Sequence, residues 1–155
     1  MQTVRLADGE TYLLVKRSAE SSRVRDPATG EERYVDNDNL SVVAGESPLA
    51  TAASGVPTPV RRVLRAVHDD RSLGLLAVVV DDGPLSVIEL LDTADMCESD
   101  LHGTVSELRA AGLIDETEFA GRRGYEATPV ASEGIELLRG VSPDSDQRGE
   151  GSIDG

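Results

Sequence analysis

The stretch from Gly83 to Leu137, GPLSVIELLDTADMCESDLHGTVSELRAAGLIDETEFAGRRGYEATPVASEGIEL, most constrains what this chain can fold into. Helix starts and stops follow one another in it with almost no spacer. Ser86 and Glu89 make an S-x-x-E capping box, in which each residue satisfies a backbone N–H at the helix start. The helix it opens is predicted to reach Ala94, with Val87, Leu90 and Leu91 facing inward. Asp95-Met96-Cys97 reads as a turn. A second helix is predicted from Glu98 to Ala111, where Leu101, Val105 and Leu108 recur at i, i+4 and i+7, one stripe of a helical surface. Gly112 is a helix stop, since glycine accepts the left-handed conformation found there. Leu113–Glu118 and Tyr125–Thr128 read as a hairpin with Ala120-Gly121-Arg122-Arg123-Gly124 at its tip, and Pro129–Arg139 as a closing helix.

Upstream, Pro59–Asp69 is a predicted helix with Thr58 as cap and Pro59 at the first helical position. Val60, Val63, Leu64 and Val67 form its apolar stripe, and Arg61, Arg62 and Arg65 face away from it. Ser72–Asp82 is also read as a helix, capped by Ser72 with Leu73, Leu76 and Val80 on one side, although Val78-Val79-Val80 favours strand by propensity. Gly83-Pro84 ends it. Residues 2–43 carry short β-forming runs separated by turns such as Asp8-Gly9, which predicts an antiparallel meander or small open barrel. Its apolar set is Leu6, Tyr12, Leu14, Val24, Tyr34, Val35, Leu40 and Val42. The fold class is therefore α+β. The expected organisation is a small β domain over 1–43, an extended linker over 44–58, a helical domain with a hairpin over 59–140, and a disordered acidic tail over 141–155.

The run GPLSVIELLDTADMCESDLHGTVSELRAAGLIDE followed by GRRGYEAT resembles the winged helix-turn-helix domain of MarR/ArsR-like transcriptional regulators. The resemblance covers residues 59–140, and the whole chain is also similar to an uncharacterised haloarchaeal family carrying such a domain. It implies a DNA-binding regulator in which helix 98–111 enters the major groove and the wing, residues 118–125, touches the backbone. Opposite the Leu101/Leu108 stripe lie Ser99, Gly103, Ser106 and Ala110, flanked by His102 and Arg109 on one side and Asp100 and Glu107 on the other. Ser99, His102, Gly103, Ser106 and Arg109, with Arg122 and Arg123 of the wing, are the candidate DNA-binding residues. This set holds no Asn or Gln and a single helical Arg for bidentate base contacts. The alternative is a winged helix that serves as a protein–protein interaction module. Surfaces for a homodimer are available on Pro59–Asp69 and Pro129–Arg139.

Charge sharpens the choice. The 155 residues carry 15 Lys+Arg against 29 Asp+Glu, a net −14, so the usual basic footprint of a nucleic-acid binder is missing. Lys16 is the only lysine. Acidic excess with arginine as the main cation fits a halophilic, archaeal protein, in which carboxylates keep the chain hydrated and molar salt shortens the screening length to about 3 Å. The acidity then says little about the partner. In the N-terminal unit, Lys16, Arg17, Arg23, Arg25 and Arg33 with Tyr12 and Tyr34 resemble the basic-aromatic surface of small nucleic-acid-binding barrels. The simpler account is a solvated strand face with the tyrosines in the core.

Enzyme chemistry is not expected, because no nucleophile, base and orienting group stand together in a motif. A single cysteine, Cys97, and two histidines, His68 and His102, offer no zinc set and no intrachain disulfide. No cofactor or metal is expected. The longest apolar run, Leu75–Val80, falls well short of the ~20 residues a membrane helix needs. With no apolar leader at the N-terminus, a cytoplasmic location is the expectation.

Overall fold

The computed structural model describes residues 1–140, and the tail expected over 141–155 lies outside the described residues. The chain forms two compact units, Met1–Pro57 and the remainder from Thr58 onward.

In the first unit, β1 (Gln2–Leu6), β2 (Thr11–Lys16), β3 (Ser21–Arg25), β4 (Glu32–Asp36) and β5 (Leu40–Val42) form one antiparallel sheet. Its order is β4-β3-β2-β1-β5, an open sheet in which the last strand returns beside the first. Val4, Leu6, Leu14 and Val24 are buried together, with Tyr12, Val35 and Leu40 against them. Tyr34 and Val42, expected in this core, are exposed because they stand on the two edge strands.

The expected linker over 44–58 is not extended. Pro48–Ala53 is a helix, α1. Pro48 occupies its first turn, and the Ser47 side chain accepts from the N–H groups of Leu49 and Ala50. The proline expected to hold the chain extended instead starts a helix, where its missing N–H is harmless. Thr51 is buried and its hydroxyl lies 2.6 Å from that of Thr3 on β1. The sheet thus has a second covered face, which also holds Leu13.

The second unit is a winged helix. It runs α2 (Thr58–Ala66), α3 (Asp70–Asp82), β6 (Leu85–Ser86), α4 (Val87–Ala94), α5 (Glu98–Ala110), β7 (Ile114–Phe119), β8 (Arg122–Ala127) and α6 (Pro129–Gly140). The three strands pair in the order β6-β8-β7. Val63, Leu76, Leu90, Leu101, Leu108 and Leu113 are all but sealed from solvent in one core. The Ser86–Glu89 capping box is formed, with the Ser86 hydroxyl 3.1 Å from the Glu89 N–H and the Glu89 carboxylate 2.8 Å from the Ser86 N–H.

Several helix details differ from the sequence reading. α2 begins at Thr58 and stops at Ala66, and its buried stripe is Val60, Val63 and Ala66. Leu64 is 58% exposed. α3 is capped by Asp69 rather than Ser72. Asp69 accepts from the Ser72 N–H while the Ser72 hydroxyl meets the Asp69 N–H, so the reciprocal box moves the start forward. The three valines stay helical because Leu75, Leu76 and Val79 bury one face of α3, and tertiary burial outweighs a propensity difference of well under about 1 kcal/mol per residue.

α2 and α6 approach closely at Gly134. A Cβ there would stand 2.8 Å from both the Pro59 carbonyl oxygen and Val63 Cγ2. On α3, a Cβ at Gly74 would meet nothing within 4 Å. The same substitution should therefore act with opposite sign at the two sites. Gly74→Ala should stabilise by up to about 1 kcal/mol through helix propensity. Gly134→Ala should destabilise by a net ~1–2 kcal/mol, because overpacking against backbone exceeds that gain. Urea unfolding of both variants checks the pair.

Two carboxylates carry a pH signature. Asp69 titrates below its ordinary 3.8, chiefly because the Ser72 backbone N–H bonds the ionised form. Asp81 is also lowered, by its two-pronged pair with Arg139 at 2.9 and 2.8 Å. Depressed carboxylates contribute stability above the unfolded value and lose it as pH falls through the folded one. Thermal melts taken downward from about pH 6 should show stability falling once the pH passes below 3.8. Asp69→Asn and Asp81→Asn should each flatten that fall.

Candidate nucleic-acid interface

The α5 helix is held on one side and open on the other. Leu101, Val105 and Leu108 are at most 2% exposed. Its end is set by backbone geometry at Gly112, whose φ is +73°. The Gly112 N–H bonds the Arg109 carbonyl at 2.9 Å and the Leu113 N–H bonds the Leu108 carbonyl at 3.0 Å. That pair of hydrogen bonds is a Schellman stop, and its usual hydrophobic contact joins Leu108 and Leu113, both fully buried. The stop turns the chain into β7. The Thr128 hydroxyl donates to the Gly112 carbonyl at 2.7 Å, tying the far end of the hairpin to the same point.

The outward face of α5 presents Ser99, His102, Gly103, Ser106 and Arg109, all exposed. Beyond its chain neighbours and the backbone of its own helix, a Cβ at Gly103 would meet nothing within 4 Å. The Ser99 hydroxyl lies 3.3 Å from the Cys97 thiol. His102 Nε2 is 3.6 Å from Glu98 Oε1, one helical turn away. Glu107, on the acidic flank, reaches His68 Nε2 at 3.3 Å. These contacts are exposed and ionic only when the histidine is protonated.

The wing differs from the sequence reading. Its turn is two residues, Ala120 and Gly121, with φ of +51° and +73°, the signature of a type I′ hairpin. Arg122 and Arg123 are therefore strand residues, not tip residues, and neighbours on a strand point to opposite faces. Arg122 pairs across with Phe119, and Arg123 with Glu118. The structure separates the two arginines that the sequence placed together.

Glu116 is the residue that sequence reasoning missed. It stands on β7 diagonally across from Arg123, two positions before Glu118. Its carboxylate contacts Arg123 Nε and lies 3.4 Å from Arg109 Nη2. The last cation of α5 and one cation of the wing are thus joined by a single acid. A two-residue turn at Ala120-Gly121 would have revealed this, because it sets the register that puts Glu116 and Arg123 on one face. Arg122 makes no ion pair among the described residues.

Among the described residues no three His, Cys, Asp or Glu side chains are grouped so as to hold a metal ion. No described helix is long and apolar enough to cross a membrane.

Residues 1–139 match the family of unknown function DUF7346. The chain belongs to that family. No curated protein matches it. Among solved structures, HlyU from Vibrio cholerae N16961 is similar at 28% identity, over 52% of this chain and 87% of HlyU, with a TM-score of 0.45.

Proposed function

We propose that the unit beginning at Thr58 is a double-stranded-DNA-binding winged helix of a transcriptional regulator. α5 lies in the major groove in this reading, presenting Ser99, His102, Gly103, Ser106 and Arg109. The wing lies along the backbone, with Arg123 on the strand face that also carries Glu116 and Arg122 on the opposite face. The observation that carries the reading is the outer face of α5, which is exposed, small and open around Gly103. Such a face lets a helix axis come close to base edges, while the Gly112 stop delivers the hairpin alongside the helix end. The resemblance of residues 59–140 to MarR/ArsR-like regulators points the same way.

Glu116 sets how strongly that surface attracts phosphate. Its carboxylate occupies the space between Arg109 and Arg123 that a phosphate oxygen would take. Duplex binding at that surface therefore requires both guanidinium groups to exchange one anion for another, whereas Arg122, on the other face of β8, has no ion pair among the described residues to give up. A molar-salt, halophilic setting suits this arrangement, since counterion release contributes little there and direct contacts carry more of the affinity.

A second reading, an interaction module without DNA, is favoured by a different observation. α2, α3 and α6 frame an apolar groove of about 350 Å³, with Leu64, Leu73 and Leu138 among its walls. A second copy seated there would make the homodimer that a regulator uses to place two α5 helices about 34 Å apart. A different protein seated there would make the module.

Titrating labelled duplex fragments from about 0.1 M to about 1 M KCl separates the readings. Arg122→Ala should weaken duplex binding and lower the slope of log K against log salt by about 1. Glu116→Gln should strengthen binding and steepen the slope by about 1 or more, as Arg109 and Arg123 become available. Gly103→Ala should raise helix stability yet lower duplex affinity. Negligible binding by wild type and all three variants would sink the DNA reading, and a stoichiometric protein partner captured at molar salt would establish the second.

A further inference from the structure

The sheet of the first unit has a charge pattern opposite to that of the chain. Its five strands carry Arg5, Lys16, Arg23, Arg25 and Arg33 against only Glu32 and Asp36. The chain as a whole has 15 Lys+Arg against 29 Asp+Glu. Within Met1–Pro57 the other acids stand in turns and loops, at Asp8, Glu10, Glu20, Asp26, Glu31, Asp38 and Glu46. Selection for acidity alone would not spare the strands.

Pairing register sorts the cations by face. Thr3 is opposite Leu13, and Leu13 is opposite Arg25. Arg5 lies two residues after Thr3 and shares its side. Arg23 pairs with Lys16 on one neighbour and with Tyr34 on the other. Side chains directly opposite in an antiparallel pair lie on one face. Arg5, Lys16, Arg23 and Arg25 therefore share one side of the sheet, and Arg33 is on the other, where it lies 5.5 Å from the Tyr12 ring centroid. α1 packs on this side against β1 and β2, with Thr51 on Thr3, and the backbone at Gly55 after it lies close against Pro27 and Ala28 beyond the end of β3.

What α1 leaves uncovered is a row, Lys16–Arg23–Tyr34, crossing three adjacent strands and about 10 Å wide. Tyr34 is 61% exposed, the most exposed tyrosine of the chain, an aromatic ring left on the surface of an edge strand. Two acids share this face: Glu32, 3.8 Å from Arg23 Nε and 3.3 Å from Arg25 Nη2, and Asp36, opposite Ser21, so the cations outnumber them by four to two. The Arg23 Nε is buried without a hydrogen-bond acceptor. Lys16 has no ion pair among the described residues.

From this we infer a second nucleic-acid site, independent of the duplex reading: the β3–β4 side of the sheet binds single-stranded nucleic acid. A base stacks on the Tyr34 ring, and Lys16, Arg23 and Arg25 take the phosphates on either side. The chemistry requires both parts of the ligand. Phosphates answer the cationic row, and an unstacked base answers a lone exposed ring, which a duplex cannot supply.

The test is fluorescence anisotropy on the full chain with labelled oligouridine and oligothymidine, the two arms separating RNA from DNA as the source. Tyr34→Ala should weaken binding about tenfold, and Tyr34→Phe should keep it. Lys16→Glu with Arg23→Glu should weaken it further and reduce the salt slope by about 0.7 for each phosphate no longer neutralised. Arg122→Ala, in the other unit, should change duplex binding and leave the single-strand titration unmoved, so each proposal fails on its own readout. Circular dichroism confirms that the exposed-site variants stay folded. No binding of either oligonucleotide by wild type would overturn the inference. So would equal binding by Tyr34→Ala, or equal affinity for a base-free polyanion.

Discussion

The backbone at Gly112 is the point on which the winged helix depends. Two hydrogen bonds close α5 there, and the Thr128 hydroxyl reaches the Gly112 carbonyl from the start of α6. The Thr128 N–H also bonds the Leu113 carbonyl at 3.0 Å. One left-handed residue thus joins the end of the outward-facing helix, both ends of the hairpin and the entry to the last helix. A side chain at this position would have to hold a φ of +73°, which costs an L-residue about 1 kcal/mol or more. It would also crowd Arg62 Nη1, 3.3 Å from the Cβ position.

With that point held, the two faces of α5 diverge. The inner face is apolar and sealed, and the outer face is small and polar. The wing adds charge in an arrangement that neutralises itself, because Glu116 takes up both Arg109 and Arg123. Exposed ion pairs of this kind add little to stability. Their consequence is electrostatic: a surface that counts as cationic in composition is close to neutral in three dimensions. The strands of the first unit carry five cations against two acids, Glu32 and Asp36, and there too a single acid, Glu32, lies beside two arginines, Arg23 and Arg25.

Much of the fold was legible from local signals. The Ser86–Glu89 box, the Leu101/Val105/Leu108 stripe and the Gly112 stop each act within a few residues, so their chemistry is written in consecutive letters. Errors fell where a distant partner decided. The segment 44–58 has linker composition, yet Thr51 finds Thr3 forty-eight positions away, and a buried hydroxyl pair anchors the helix. Leu64 fits the helical stripe of α2, but only Val60, Val63 and Ala66 are buried there. Glu116 was invisible because its role depends on hairpin register, and register depended on a turn shorter than the Gly-to-Gly tip suggested.

The sequence by itself determined most element types outside the 44–58 segment, the α+β class, and the order of helix, turn, helix and hairpin, because capping, periodicity and left-handed stops are local physics. Tertiary structure alone decided which cations are available. Arg122 and Arg123 are adjacent in the chain but lie on opposite faces of a strand, and Glu116 closes the distance between Arg123 and Arg109. Charge acts through space with the inverse of distance, and distance in space is what a linear reading of this chain does not contain.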